Sequence, residues 1–352
     1  MKKRMSNLEI LRIICMLFIV LCHVGHSKIV LDTINYNQIL YKLVCGNSAI
    51  ALNLFIMITG YFLINSEKVK IDKIIKLWLQ LFLYSVGIYI IFVIFSMCDF
   101  SIKSLIECCL PISFNQWWFA STYFVLYIFH PYINKFLKSL SKKEYKEFIL
   151  LQVIIYSLLR LFTLQEIQYN NLLIFIMIYS IAGYIRLYLD DIKFNNKMFV
   201  SLISIYLMSF ILSEILCIYG INSVHKLGEI IVSLNSPFII VISVLIFILF
   251  KNINIKYNKS INLISSATFG VYLIHDNNYM RDYLWNTLFN YEVIMDKWYF
   301  MLYVIGFCLL VYIICTLIEL IRIYLLENNY MKLVNKYKDC GVKLWQRLIN
   351  YY

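Results

Sequence analysis

Arg12 and His23 stand eleven residues apart in the mainly apolar run 8–26. At about 100° per residue, eleven steps return a helix to nearly the same face, so the two share one stripe, roughly 16 Å apart along the axis. Ionisable groups inside a membrane helix are costly, and a functional site is the default reading of such a pair. A neutral histidine can take a proton from a poor nucleophile or carry a transferred group itself. A guanidinium can hold phosphates or a carboxylate, and Glu9, three residues before Arg12, is within reach as its partner. The structural alternatives are a core histidine bonded to a backbone carbonyl and an arginine snorkelling to the inner interface.

Other charges also fall in apolar surroundings. Glu214, Arg160 and His130 have no partner nearby in sequence, and Glu214 is the buried carboxylate most worth testing. His130 precedes Pro131, so a helix-end or kink role is expected. Glu319 and Arg322 are three apart and read as a local ion pair. Thr59, Gly60 and Tyr61 read first as a close helix contact and second as site lining.

These residues need helices to hold them. The chain of 352 residues is 62% hydrophobic and 15% charged, with 10 glycines and 3 prolines, and its mean hydropathy is +0.75. This composition excludes a soluble domain and points to long membrane helices. Ten segments are expected to cross the bilayer: 8–26, 45–64, 74–97, 117–134, 148–164, 171–189, 198–219, 230–250, 261–275 and 298–321. Of the 32 lysines and arginines, 24 fall at the N-terminus, in alternate loops and in the tail, and six in the opposite loops. That asymmetry places both termini in the cytoplasm, and it accounts for the net charge of +12 without nucleic acid. The basic start, followed by an apolar run without a small-residue cleavage site, reads as a retained signal anchor. The ten cysteines contain no CxxC pair and read as small buried hydrophobes, so no metal site is expected.

Four stretches then bring a family into view. LEILRIICMLFIVLCH (residues 8–23), LFIMITGYFL (54–63), WWFASTYFVLYIFHPYIN (117–134) and FGVYLIHDNN (269–278) occur in this order. Together they resemble the acyltransferase-3 family of bacterial membrane O-acyltransferases. The resemblance implies an all-α polytopic protein of about ten spans in the bacterial cytoplasmic membrane. It spans residues 1–326, with 327–352 as a basic amphipathic cytoplasmic tail lying on the inner membrane surface. It implies transfer of an acyl group, usually acetyl, from a cytoplasmic thioester such as acetyl-CoA, with no bound cofactor. The implied acceptor is a hydroxyl of a cell-surface glycan or its lipid-linked precursor.

On that reading His23 and Arg12 are the catalytic candidates. Family members often carry arginines in the loop after the second helix, where this chain has Lys68, Lys70, Lys73 and Lys76. Lysine binds phosphate as a point charge without bidentate geometry. Lys73 and Lys76 are expected to contact the donor, and the loops at 65–76 and 135–147 could draw in its phosphates. Trp118, with Trp117, could stack on a ring, although both also suit an outer aromatic belt. His275, Asp276 and Asn277 offer the mixed donors and acceptors that sugar hydroxyls require. The plain alternative for them is a water-exposed helix end, with Arg281 and Asp282 as a solvated pair. His26 sits one turn beyond His23 at the expected outer mouth. The competing class is a transporter or flippase for a lipid-linked glycan or small polar solute, since buried charges in ten spans fit that too.

Overall fold

The computed structural model describes residues 5–24, 35–45, 48–165, 170–289 and 294–334, together with Lys336. His26 and most of the basic tail lie outside them. Every regular element among the described residues is helical. Six stretches among them are long and apolar enough to cross a membrane: Ser6–His23, Tyr36–Leu63, Ile71–Ile94, Asn171–Tyr188, Asn196–Tyr219 and Phe300–Val334.

In chain order these contain α1 (Ser6–His23), α2 (Tyr36–Cys45), α3 (Ser48–Leu63) and α4 (Ile71–Ile94). A short α5 (Ile102–Cys109) precedes α6 (Trp118–Ser139). Helix α7 (Lys142–Val153) runs through a π turn at Ile154–Leu158 into α8 (Leu159–Thr163). Then come α9 (Asn171–Tyr188), α10 (Asn196–Tyr219), α11 (Ser223–Ile231), α12 (Pro237–Asn252), α13 (Lys259–His275), α14 (Asn278–Asp282) and α15 (Phe300–Arg322).

The four other expected segments fall on α6, α7 with α8, α12 and α13, which are shorter or more polar than the six. The expected segment 230–250 is broken: α11 ends at Ile231, and α12 starts afresh at Pro237. Proline suits a first helical position because that N–H has no partner anyway. Helix α2 was not expected. Asn37, Gln38 and Lys42 disguise it, and Asn37 uses its amide on the carbonyls of Met295 and Lys297, 2.7 and 2.9 Å away. Asparagines start several helices by accepting a backbone N–H, as Asn170, Asn195 and Asn258 do. A Ser141/Glu144 capping box starts α7.

Helix α1 lies at the centre, against α2, α3, α12, α13 and α15. Gly60 lets α3 approach α9, because a Cβ there would sit 2.8 Å from the Tyr179 carbonyl oxygen. Among the large apolar side chains left exposed are Leu207, Ile211 and Ile215 on α10 and Leu310, Ile314 and Leu317 on α15, the face that hydrocarbon would cover. Helix continues past α15 through Ile323–Glu327 to Val334, so residues 326 and 327 lie within one continuous helical stretch.

Candidate functional site

Helices α1 and α13 pack together. At one end the Ser6 hydroxyl accepts from Asn262 Nδ2 at 3.0 Å, and Ser265 donates to Glu9 at 2.5 Å. At the other end His23 meets His275, with Nδ1 2.9 Å from Nε2 and ring centroids 5.0 Å apart. The helices are therefore parallel, and both C-termini deliver a histidine to one point.

The hydrogen bonds fix the tautomers. A carbonyl only accepts, so His275 donates from Nδ1 to the Val271 carbonyl at 2.6 Å. A neutral His275 then accepts at Nε2, and His23 donates there from Nδ1. Neutral His23 is left with its lone pair on Nε2, the arrangement a base requires. The Asp276 carboxylate lies 3.5 Å from His23 Nδ1, placed to stabilise an imidazolium once His23 gains a proton. Two helix C-termini favour the same cation by about 0.3–1 kcal/mol each, more when partly buried. Arg281 holds Asp276 in turn through Nε, at 2.9 Å.

A cavity of about 550 Å³ lies along the two helices below this pair; its lining reaches Ile19 and Tyr272, one turn short of His23 and His275. Arg12, Met16 and Ile19 line it from α1, and Ser265, Thr268, Phe269 and Tyr272 from α13. These are the stripes that end at His23 and at His275. Arg12 is bound to Glu9, 3.2 Å away, as the sequence suggested. The far wall is a network that sequence reasoning reduced to one local pair. Glu319 is 1% exposed and accepts from Gln80 at 2.9 Å, Tyr84 at 2.6 Å, and Arg322 twice at 2.8 Å. Arg322 also binds Glu327 at 2.7 Å, and Lys76 pairs with Glu327. One signal was available: Lys76, Gln80 and Tyr84 recur at four-residue spacing on α4, a polar stripe in an apolar helix.

Thus the structure brings together His23, His275 and Asp276 at one end, and Arg12 and Lys76 along the cavity. It does not bring in Lys73, which lies beside His130 and off the cavity wall. Asn277 spends its side-chain oxygen capping α14. Trp118 packs edge-on against Phe119 and Phe175, at 5.9 and 6.2 Å.

Several expectations need correction. Asp276 and Asn277 are 4% and 2% exposed, so this helix end is not bathed in water. Arg281 pairs with Asp276, while Asp282 accepts from Asn286. Trp117 is buried at the start of α6 rather than in an interfacial belt. Arg160 is bonded to Ser233 and Asn235. Glu214 has a partner after all, Lys42 of α2, 3.1 Å away; a bond across 172 residues leaves no local trace. That pair stands apart from the cavity, so Glu214→Gln should lower the melting temperature by leaving Lys42 uncompensated. Turnover should stay within a few-fold; a collapse of activity in folded protein would place Glu214 in the mechanism.

A sequence model of the family described as an acyltransferase domain matches residues 5–320. No curated protein and no solved structure matches the chain.

Proposed function

The chain belongs to acyltransferase family 3, whose domain accounts for residues 5–320, and from that membership we propose a multi-pass bacterial O-acyltransferase working across the cytoplasmic membrane. The donor is acyl-CoA, by preference acetyl-CoA, arriving from the cytoplasm. The acceptor is a hydroxyl of a cell-surface glycan or its lipid-linked precursor. The positive-inside pattern supports ten spans with both termini inside, which puts Arg12 toward the cytoplasm and His23 toward the outer face.

The observation that carries the reading is the His23–His275 bond, which leaves the His23 lone pair on Nε2 at the end of the cavity stripe that begins at Arg12. In the proposed step His23 Nε2 removes the proton of the acceptor hydroxyl. The oxygen attacks the thioester carbonyl and a C–O bond forms. The tetrahedral intermediate collapses, the C–S bond breaks, and the coenzyme A thiolate takes the proton back from imidazolium. Asp276 and the two helix ends stabilise the imidazolium meanwhile. Arg12 meets donor phosphate or the thioester arm in exchange for part of its bond to Glu9.

The test uses purified protein in liposomes, acetyl-CoA labelled in the acetyl group and a panel of glycans. Acceptor-dependent thiol release with label on the glycan is expected. No turnover with acetyl-, succinyl- or longer acyl-CoA in folded protein would sink the reading in favour of transport. In the same assay Arg12→Gln should raise the donor KM about tenfold or more, as loss of a charged hydrogen bond implies, with a smaller change in kcat. An unchanged KM would remove Arg12 from donor binding.

A further inference from the structure

We infer that Phe55 and Phe119 are specificity-determining residues, whose rings bound the cavity beneath the two histidines and hold the donor to a short acyl group. The inference rests on the acyl-transfer reading above and narrows the thioester that the site takes.

The cavity wall changes character along its length. Its charged residues are Arg12, Lys76, Glu319, Arg322 and Glu327, and no other residue lining it is charged. Arg12 lies about three turns before His23 on α1. Helix α15 touches α1 at Cys308, whose thiol donates to the Val20 carbonyl at 3.9 Å. Glu319 stands eleven residues beyond Cys308, roughly 16 Å along the axis, and Arg322, Glu327 and Lys76 join it in one network. The wall near the histidines is aromatic instead. Tyr272 precedes His275 by one turn, with ring centroids 6.3 Å apart. Phe119 meets the Tyr272 ring edge-on at 6.1 Å, and Phe55 meets Phe119 edge-on at 6.4 Å. Both phenylalanines line the cavity.

A wall that is charged at one end and apolar at the other fits a donor with a charged head and an uncharged reacting end. With the coenzyme arm running back toward Arg12, the acyl chain lies on the far side of the thioester carbonyl. Each added methylene then meets the aromatic wall, whereas an acetyl group ends at one methyl. The wall yields little. Phe119 is backed by Phe175 at 5.2 Å and Trp118 at 5.9 Å, and close-packed rings accept extra volume only at a cost in strain.

The experiment measures kcat/KM for acetyl-CoA and hexanoyl-CoA in wild type, Phe55→Ala and Phe119→Leu, with a melting temperature for each. Wild type should prefer acetyl-CoA. Phe55→Ala should raise the hexanoyl-to-acetyl ratio about tenfold or more, since one methylene of fit in an apolar pocket is worth about 10–200-fold. Hexanoyl turnover should rise in absolute terms while acetyl turnover falls, an exchange that a merely structural residue does not produce. Phe119→Leu should shift the ratio the same way by less, and it carries the test if Phe55→Ala does not fold. An unchanged ratio in folded variants, or an equal loss with both donors, would overturn the proposal and leave the acyltransferase reading intact. Equal use of the two donors by wild type would overturn it as well. Absence of thioester turnover in wild type would instead overturn the underlying reading, and this proposal with it.

Discussion

His23→Ala is expected to lower acyl transfer by about 10²–10⁴-fold, the usual contribution of a positioned base, or roughly 3–5 kcal/mol of barrier. The protein should still insert and fold. His23 gives its Nδ1–H to His275, so its removal leaves one buried acceptor unsatisfied, at about 1–3 kcal/mol. In the proposed mechanism His23 acts on the reacting atoms and Arg12 meets the donor, so the loss should fall on kcat. Trapping with labelled acetyl-CoA separates the two chemistries open to an imidazole: label held on wild-type protein would make His23 an acyl carrier, and its absence during turnover would keep it a base. Full activity in folded His23→Ala would end the mechanism proposed here.

Arg322→Ala is expected to be the most destabilising single change at the cavity, by about 3–5 kcal/mol. Its guanidinium is held by both oxygens of Glu319 and by Glu327. Without it, carboxylates that are 1% and 8% exposed remain buried, and Lys76 alone faces Glu327. Glu319 cannot swing away cheaply, because it lies against α13 at Gly270, where a Cβ would come within 2.3 Å of its carboxyl carbon. The double change Glu319→Gln with Arg322→Met removes charge from both sides and should recover much of the loss, since replacing a buried ion pair by uncharged groups is often neutral. Thermal unfolding in detergent is the readout. A melting temperature equal to wild type in Arg322→Ala would show that the network contributes nothing to the fold.

Much of this was legible one helix at a time. Composition alone required membrane helices, and the eleven-residue spacing placed Arg12 and His23 on one stripe. The Tyr-Leu-Ile-His stretch marked α13, and Glu9 was read as the partner of Arg12. Within a helix, period and spacing are local properties and survive in the sequence. Misreadings came where a backbone break or a burial depended on neighbours. Examples are the restart at Pro237, the hidden helix α2, and Trp117, whose amphipathic ring suits an interface as well as a core.

What the sequence could not contain was which stripe meets which. His23 finds His275 across 252 residues, Glu9 finds Ser265 across 256, and Glu319 finds Gln80 across 239. Helix periodicity says which residues share a face, but the partner of that face is chosen by how whole helices pack. The sequence by itself therefore determined an all-helical membrane acyltransferase with an arginine and a histidine on one stripe of its first helix. Only the tertiary structure decided that a second histidine orients the first, because that bond exists only when two parallel helix ends, far apart in the chain, are brought within 3 Å.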